Sequence, residues 1–229
     1  MSALIEYKLK SDFPLPDVRE TYSFAKHIRK ILMGHSQRVS GNATPFFTGK
    51  NPDGSLTRNH GHIYISPRDM DGDGRIDTVH MSWCGEVLPG DLDAIRGLES
   101  MPPNGIQYIL NDTAPRNKTS SLIASITPYL RHRTTYSRYR NNGPMTDVEW
   151  LQAEVMHTLA KAGHKVLSIV PRDIAPNGVQ YSEFERSRGN DRRPYIYAGF
   201  DVLLSSPASV PFCIGSMGHY GYGLFDLVS

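Results

Sequence analysis

Residues 211–225 read PFCIGSMGHYGYGLF, with Gly215, Gly218, Gly221 and Gly223 spaced three, three and two apart and Ser216, His219, Tyr220 and Tyr222 between them. Glycine at this density lets a backbone turn left-handed and approach a ligand closely. Successive N–H groups in such a turn make a concavity that suits anions, phosphate above all. The aromatic rings between the glycines could stack on bases. The same composition also suits a plain glycine-rich hairpin that closes a sheet.

Two further segments carry charge in a pattern. Residues 131–140 read RHRTTYSRYR and residues 186–193 read RSRGNDRR. Arg131, Arg133, Arg138 and Arg140 in the first, and Arg186, Arg188, Arg192 and Arg193 in the second, stand beside Tyr136, Tyr139, Tyr195 and Tyr197. Arginine on phosphates with tyrosine on bases is what a single-stranded or hairpin RNA site needs. A solvated face is the alternative for any run of charge. The net charge of +2 supplies no overall basic field, so the distribution is what points to nucleic acid.

Nine histidines offer acid–base groups, and none forms an HExxH pair, which leaves a zinc hydrolase unsupported. Nor is there a P-loop, a dinucleotide-binding fingerprint or a nucleophile elbow. Asp69, Asp71, Asp73 and Asp77 fall at the first, third, fifth and ninth positions of a calcium-type loop, with Gly74 at the sixth. His80 stands at the twelfth, where a bidentate carboxylate belongs, and the flanks read as strands. A tight Asp/Gly hairpin without metal is the expectation.

The elements that must position these groups follow from periodicity. Ala3–Leu9 alternates as a strand, and Asp17–Met33 is predicted to be an amphipathic helix through Val18, Tyr22, Ala25, Ile28 and Leu32, stopping at Gly34. Residues 40–59 read as loop. His62–Ser66 and Thr78–Trp83 are predicted strands around the turn Asp69–Asp77, followed by a helix over Gly90–Leu98 and a strand over Ile106–Leu110. That order, βαββαβ, is ferredoxin-like. In the second half, Ser121–Thr127, Val166–Val170 and Ile196–Leu204 suit strands, and Thr146–Ala162 a helix opened by a Thr146/Glu149 capping box. The expected architecture is α+β: two tandem ferredoxin-like domains, 1–115 and 116–229, the second carrying the arginine-rich segments and the glycine-rich loop.

Cys84 and Cys213 match no metal spacing and read as reduced thiols. Residues 1–13 hold no apolar core fit for a signal peptide, and no segment approaches a membrane span. A cytoplasmic protein with no membrane partner is expected.

Three stretches in this order resemble one family: GHIYISPRDMDGDGRIDTVHMSW at 61–83, SITPYLRHR at 125–133, and the tail IGSMGHYGYGLF at 214–225. With Thr48-Gly49-Lys50 and Gly61-His62, they resemble CRISPR-associated RAMP proteins that process repeat RNA (the Cas six family). The likeness is nearest to the type IV stand-alone protein and the processing half of the fused type I-G protein, and spans about residues 45–225. Where the family ends its acidic hairpin with histidine, this chain has Thr78, with His80 two residues on. The first forty residues match only loosely, and there the family places its general base.

The resemblance implies tandem RRM-like domains and metal-independent cleavage of precursor CRISPR RNA within the repeat, with no cofactor. It also implies that the protein stays on the repeat stem-loop and joins other effector-complex subunits. Related proteins that hold guide RNA without cutting it are the alternative. Cleavage by the 2′-hydroxyl needs a base, an acid and donors to the phosphorane charge. His35, expected just beyond the helix stop at Gly34, is the first choice for the base, with Tyr22 as its partner should the loop fold back, and His27 is second. Arg38 or Lys26 would stabilise charge. Gly215, Gly218 and Gly221 would hold RNA backbone, Ser216 and His219 would donate to phosphates, and the two arginine clusters would grip the hairpin.

Overall fold

The structure is a computed structural model that describes residues 2–55, 61–100, 105–111, 118–130, 146–185, 197–215 and 217–227. Two compact units divide the chain, residues 1–116 and residues 117–229.

In the first unit, β1 (Ser2–Ser11), β2 (Tyr64–Arg68), β3 (Thr78–Cys84) and β4 (Ile106–Leu110) form an antiparallel sheet of order β2-β3-β1-β4. The helices α1 (Thr21–Ser40) and α3 (Pro89–Arg96) are the crossovers, which completes a ferredoxin-like βαββαβ unit. Alternation on β1 decides the buried face: Tyr7 and Leu9 are buried while Lys8 and Lys10 are exposed. The Tyr7 hydroxyl donates to the Ile95 carbonyl at 2.9 Å, fastening sheet to α3.

Helix α1 does not stop at Gly34. It runs to Ser40 and ends at Gly41, whose φ of 78° is the left-handed cap. A mid-helix glycine costs only about 1 kcal/mol against alanine, and packing outweighs it. The stripe Phe24, Ile28, Leu32 continues through His35 and Ser36, which are polar yet buried. The expected loop at 40–59 contains a short turn of helix, α2 (Pro45–Thr48), because Phe46 and Phe47 are buried and Pro45 opens it. Arg29 Nε donates to the Phe47 carbonyl at 2.6 Å and holds α2 against α1.

The acidic turn between β2 and β3 is self-bonded. Asp69 accepts from the N–H groups of Gly72 (2.8 Å) and Gly74 (3.0 Å), and Asp77 from those of Met70 (3.0 Å) and Asp71 (3.2 Å). Asp71 and Asp73 each accept from the residue two positions on. The hairpin also reaches the connection into α1: Val18 N–H donates to Gly74 at 3.0 Å, and Ile76 N–H to Pro16 at 2.8 Å.

The second unit pairs β5 (Lys118–Ser125), β6 (Tyr129–Leu130), β7 (Val166–Arg172), β8 (Tyr197–Val210), β9 (Phe212–Cys213) and β10 (Leu224–Leu227). β8 lies between β7 on one side and β5 on the other, and β5 is followed by β10 and β9, with β6 also on β8. Helix α4 (Asp147–Lys161) opens with both bonds of the Thr146/Glu149 capping box. It buries Leu151, Val155 and Leu159 against Ile123, Phe200, Val202 and Phe225. The connectivity repeats the ferredoxin-like order with one replacement. Where a second crossover helix belongs, the described residues between β9 and β10 form only the 3-10 turn Gly218–Tyr220. No described helix is long and apolar enough to cross a membrane.

Candidate nucleic-acid interface

The glycine-rich segment folds tightly onto its own unit. A Cβ on Gly223, whose φ is 61°, would overlap the Ile214 carbonyl, and one on Gly215 would come within 2.9 Å of the Tyr129 ring. The Thr127 hydroxyl donates to the Gly221 carbonyl at 2.6 Å and accepts from Leu224 N–H at 3.0 Å, while Gly223 N–H donates to Pro128 at 2.8 Å. Sheet closure therefore accounts for two of the four glycines. Tyr222, one of the rings expected to stack on bases, is wholly buried and donates to the Glu185 carbonyl at 2.6 Å. Its aromatic neighbours are protein side chains, so it is a core residue. Gly218 and Gly221 stay in the turn with His219 and Tyr220, both half-buried. Ser216 lies outside the described residues.

Arg131, Arg133, Arg138, Arg140, Arg186, Arg188, Arg192 and Arg193 also lie outside them. Their points of attachment do not. Leu130 immediately precedes the first arginine segment and Tyr197 closely follows the second, and these two residues are register partners in the β6–β8 pair. The Leu130 carbonyl lies 3.0 Å from where a Gly215 Cβ would be. Glu185, the residue before Arg186, receives the Tyr222 hydroxyl and, at 3.5 Å, that of Tyr197. Both arginine-bearing stretches thus leave the sheet at one place, beside the glycine-rich turn. Eight of the twelve lysines and arginines of residues 117–229 belong to those two stretches.

No family model matches the chain, and no curated protein does. Among solved structures it is similar to one described as an RAMP protein binding different RNA substrates, at 12% identity over 99% of both chains and a TM-score of 0.49. It is similar to a Cas6 product complex, at 11% identity over 98% of this chain and 99% of the other, TM-score 0.45. It is also similar to Csf5, a type IV Cas6 crRNA endonuclease, at 14% identity over 98% of each chain, TM-score 0.35.

The groups expected to do acid–base chemistry all stand on α1, and the helix keeps His35 apart from its expected partner Tyr22. Tyr22 and His35 are thirteen residues apart on one continuous helix, about 20 Å along its axis, so the expected partnership is not formed. Nor is His35 free beyond a helix stop. Only 7% exposed, it sits between α1 and α3 with Nδ1 3.2 Å from the Ala94 carbonyl. A Cβ on Gly97 would lie 2.8 Å from the same nitrogen, so α3 is moulded to this ring. Near the other end of α1, Lys26 Nζ lies 5.7 Å from the centre of the Tyr22 ring, a cation–π contact. His27 is half-buried, and its Nε2 has no hydrogen-bond partner. Arg38 is exposed near the other end of α1.

A constellation missed in the sequence lies on the helix-free face of the first sheet. His80 Nε2 is 2.8 Å from Glu6 Oε2, Arg68 Nη1 is 3.4 Å from His80 Nδ1, and Asn111 Nδ2 donates to the other Glu6 oxygen. Glu6, Arg68 and His80 are buried. The bonding pattern holds a ring that donates to Glu6 and accepts from Arg68, which uses both nitrogens. Glu6 and His80 are cross-strand partners, and Arg68 is two residues beyond His80's partner on β2. Only the pairing register brings them together; spacing along the chain does not.

In the acidic turn, carboxylate atoms of Asp69, Asp71 and Asp77 lie within 4.8 Å of one another. All three carboxylates already accept loop N–H groups. Burial pushes the Asp77 carboxyl above the usual carboxylate range, against the hydrogen bonds it accepts. The turn is built as a hairpin lock.

Proposed function

We propose that this chain binds the stem-loop of CRISPR repeat RNA and cuts the precursor within the repeat, without metal, by attack of a 2′-hydroxyl. A 2′,3′-cyclic phosphate and a 5′-hydroxyl are the products, and the protein keeps its product as an effector-complex subunit. One observation carries the reading: the two arginine-bearing stretches leave from the paired residues Leu130 and Tyr197, beside the glycine-rich turn. The N–H groups of Gly218, Tyr220 and Gly221 already serve the turn's own carbonyls, so in this scheme the arginines carry most of the phosphate contact, which suits a folded RNA hairpin. The motif resemblance over residues 45–225 supports the same reading. His219 is a donor to phosphate in this scheme.

For the base, the half-buried His27, next in sequence to Lys26 of the Tyr22–Lys26 pair, replaces the enclosed His35; the Nε2 atoms of both are buried without a hydrogen-bond partner, so the difference rests on side-chain burial and on that neighbour. Lys26 then supplies positive charge to the phosphorane. A second reading, an RNA-holding subunit that does not cut, is favoured by the enclosure of His35 between α1 and α3. Synthetic repeat RNAs incubated with the protein in EDTA, with product ends mapped, separate the two. Cyclic-phosphate ends that vanish in His27→Ala support cleavage. Tight binding with intact RNA supports the holder. Cleavage that requires a divalent ion refutes the proposed chemistry.

A further inference from the structure

Helix α1 carries charge of one sign. Its 20 residues, Thr21–Ser40, include no aspartate or glutamate, not even in the first turn, where the helix dipole favours them. Arg29 is buried, and its Nε is spent on the Phe47 carbonyl. The other three cations are exposed and stand on one line: Tyr22, Lys26, Lys30, Gly34 and Arg38 follow one another at intervals of four, a ridge of the helix surface. Each step climbs about 6 Å, so the ridge is about 24 Å long. It lies on the other side of the helix from the buried Phe24, Ile28 and Leu32. Gly34 is a notch in it. A Cβ there would meet nothing within 4 Å, and the backbone is not left-handed, so the fold asks for glycine neither for space nor for conformation. Alanine would hold the helix better. What glycine does supply is bare backbone that another chain can approach closely.

We propose that this ridge is a phosphate track for the unpaired RNA strand flanking the repeat stem-loop, and that the strand lies against the helix backbone at Gly34. The inference rests on the RNA-binding reading above. Three exposed cations in a row with no carboxylate among them match a polyanion. One row serves one strand, and the remaining cation of α1, Arg29, is buried, so the helix has no second row for the other strand of a duplex. Lys30 and Arg38 rise on either side of Gly34 and draw the backbone between their two phosphates down to the notch. A side chain at position 34 would hold the strand away from both. His27 stands next to Lys26 and one turn before Lys30, so a strand on the ridge passes the proposed base.

The test uses the full chain and two synthetic RNAs, the repeat stem-loop alone and the same stem-loop with its single-stranded flanks, each 2′-O-methylated to block cleavage. In the wild type the flanks should steepen the fall of log affinity with log salt by about 2, three single-strand contacts at about 0.7 each. Lys30→Ala removes about 0.7 of that slope and leaves binding of the stem-loop alone unchanged. Gly34→Ala melts at or above the wild-type temperature, because nothing in the fold opposes the added methyl. It nevertheless binds the flanked RNA about tenfold more weakly, the loss of one charge-assisted contact, and the stem-loop alone as before. Gly34→Leu loses more. A Gly34→Ala protein that binds the flanked RNA like the wild type overturns the proposal. So does a wild type with the same affinity and salt slope for both RNAs, or a Lys30→Ala protein that loses equally on both; each leaves RNA binding itself intact. Polyglutamate bound more weakly by Lys30→Ala, with RNA binding unmoved, assigns the ridge to an acidic protein and also overturns it. A wild type that binds neither RNA takes down the RNA reading, and this inference with it.

Discussion

Gly199→Ala is the smallest change with the largest expected consequence. Gly199 has no left-handed φ, so alanine suits its backbone. Space is the obstacle, because a Cβ there would overlap the Tyr181 ring at its Cε2, Cζ and hydroxyl atoms. Tyr181 cannot slide aside, since Phe184 stacks on it and its hydroxyl is bound to Ser125. The ring must leave. Returning about 150–200 Å² of buried aromatic surface to water costs roughly 4–5 kcal/mol at about 25 cal/mol per Å². The lost hydroxyl bond adds about 1 kcal/mol, and partial relaxation of the site takes some of this back. The expected destabilisation is about 4 kcal/mol, read from urea unfolding by tryptophan fluorescence, to which Trp150 on α4 contributes from the same unit. The decisive comparison is Tyr181→Ala. In that background Gly199→Ala should cost less than about 1 kcal/mol, and restriction of the unfolded chain can make it stabilising. Equal costs in the two backgrounds, or a Gly199→Ala protein within about 1 kcal/mol of wild type, would refute the packing argument.

Gly223→Ala should disrupt the second unit, through overlap with the Ile214 carbonyl, whereas Gly178→Ala, also at positive φ but in open space, should cost only the backbone strain of about 1–2 kcal/mol; thermal unfolding ranks the two. Burial pushes the Tyr108 and Tyr181 hydroxyls well above their ordinary range. The folded state therefore keeps protons that the unfolded chain releases above about pH 10, so stability falls as pH rises beyond that point; absorbance titration should show these tyrosines ionising only with unfolding. His35→Ala should destabilise the first unit by about 2 kcal/mol by opening a gap between α1 and α3, with any loss of RNA cleavage tracking the unfolded fraction. Asp69→Ala strands the N–H groups of Gly72 and Gly74 and should cost about 1–2 kcal/mol, while millimolar calcium should leave the wild-type melting temperature unmoved; a clear rise would make the turn a cation site.

The ferredoxin-like order of the first unit is legible because its strands alternate and α1 carries a clean apolar stripe as far as Leu32. Beyond Leu32 the stripe turns polar while staying buried, and His35 reads as free because no apolar neighbour marks its burial. Short-range signals also hide α2, whose four residues sit in a glycine- and asparagine-rich stretch. The Glu6–His80 pair spans 74 residues and depends on strand register, which one sequence does not determine. In the second unit, the cluster of glycines is obvious but its purpose is divided. Close approach to Tyr129 and Ile214 is a demand of tertiary packing, as is the meeting of Leu130 with Tyr197, so it is only in the fold that the residues flanking the arginine-bearing stretches are seen to pair.

The acidic hairpin does more than join β2 to β3. Through Gly74, Ile76 and Arg75, whose Nη1 donates to the Leu15 carbonyl at 3.2 Å, it grips the chain at residues 15–18, just where α1 begins. It therefore acts as a gauge that sets the height and pitch at which the helix departs. A turn shortened to two residues could keep every β2–β3 pair and still release that grip. Errors in this hairpin would surface far from it, as a tilt of the helix that carries Tyr22, His27 and His35.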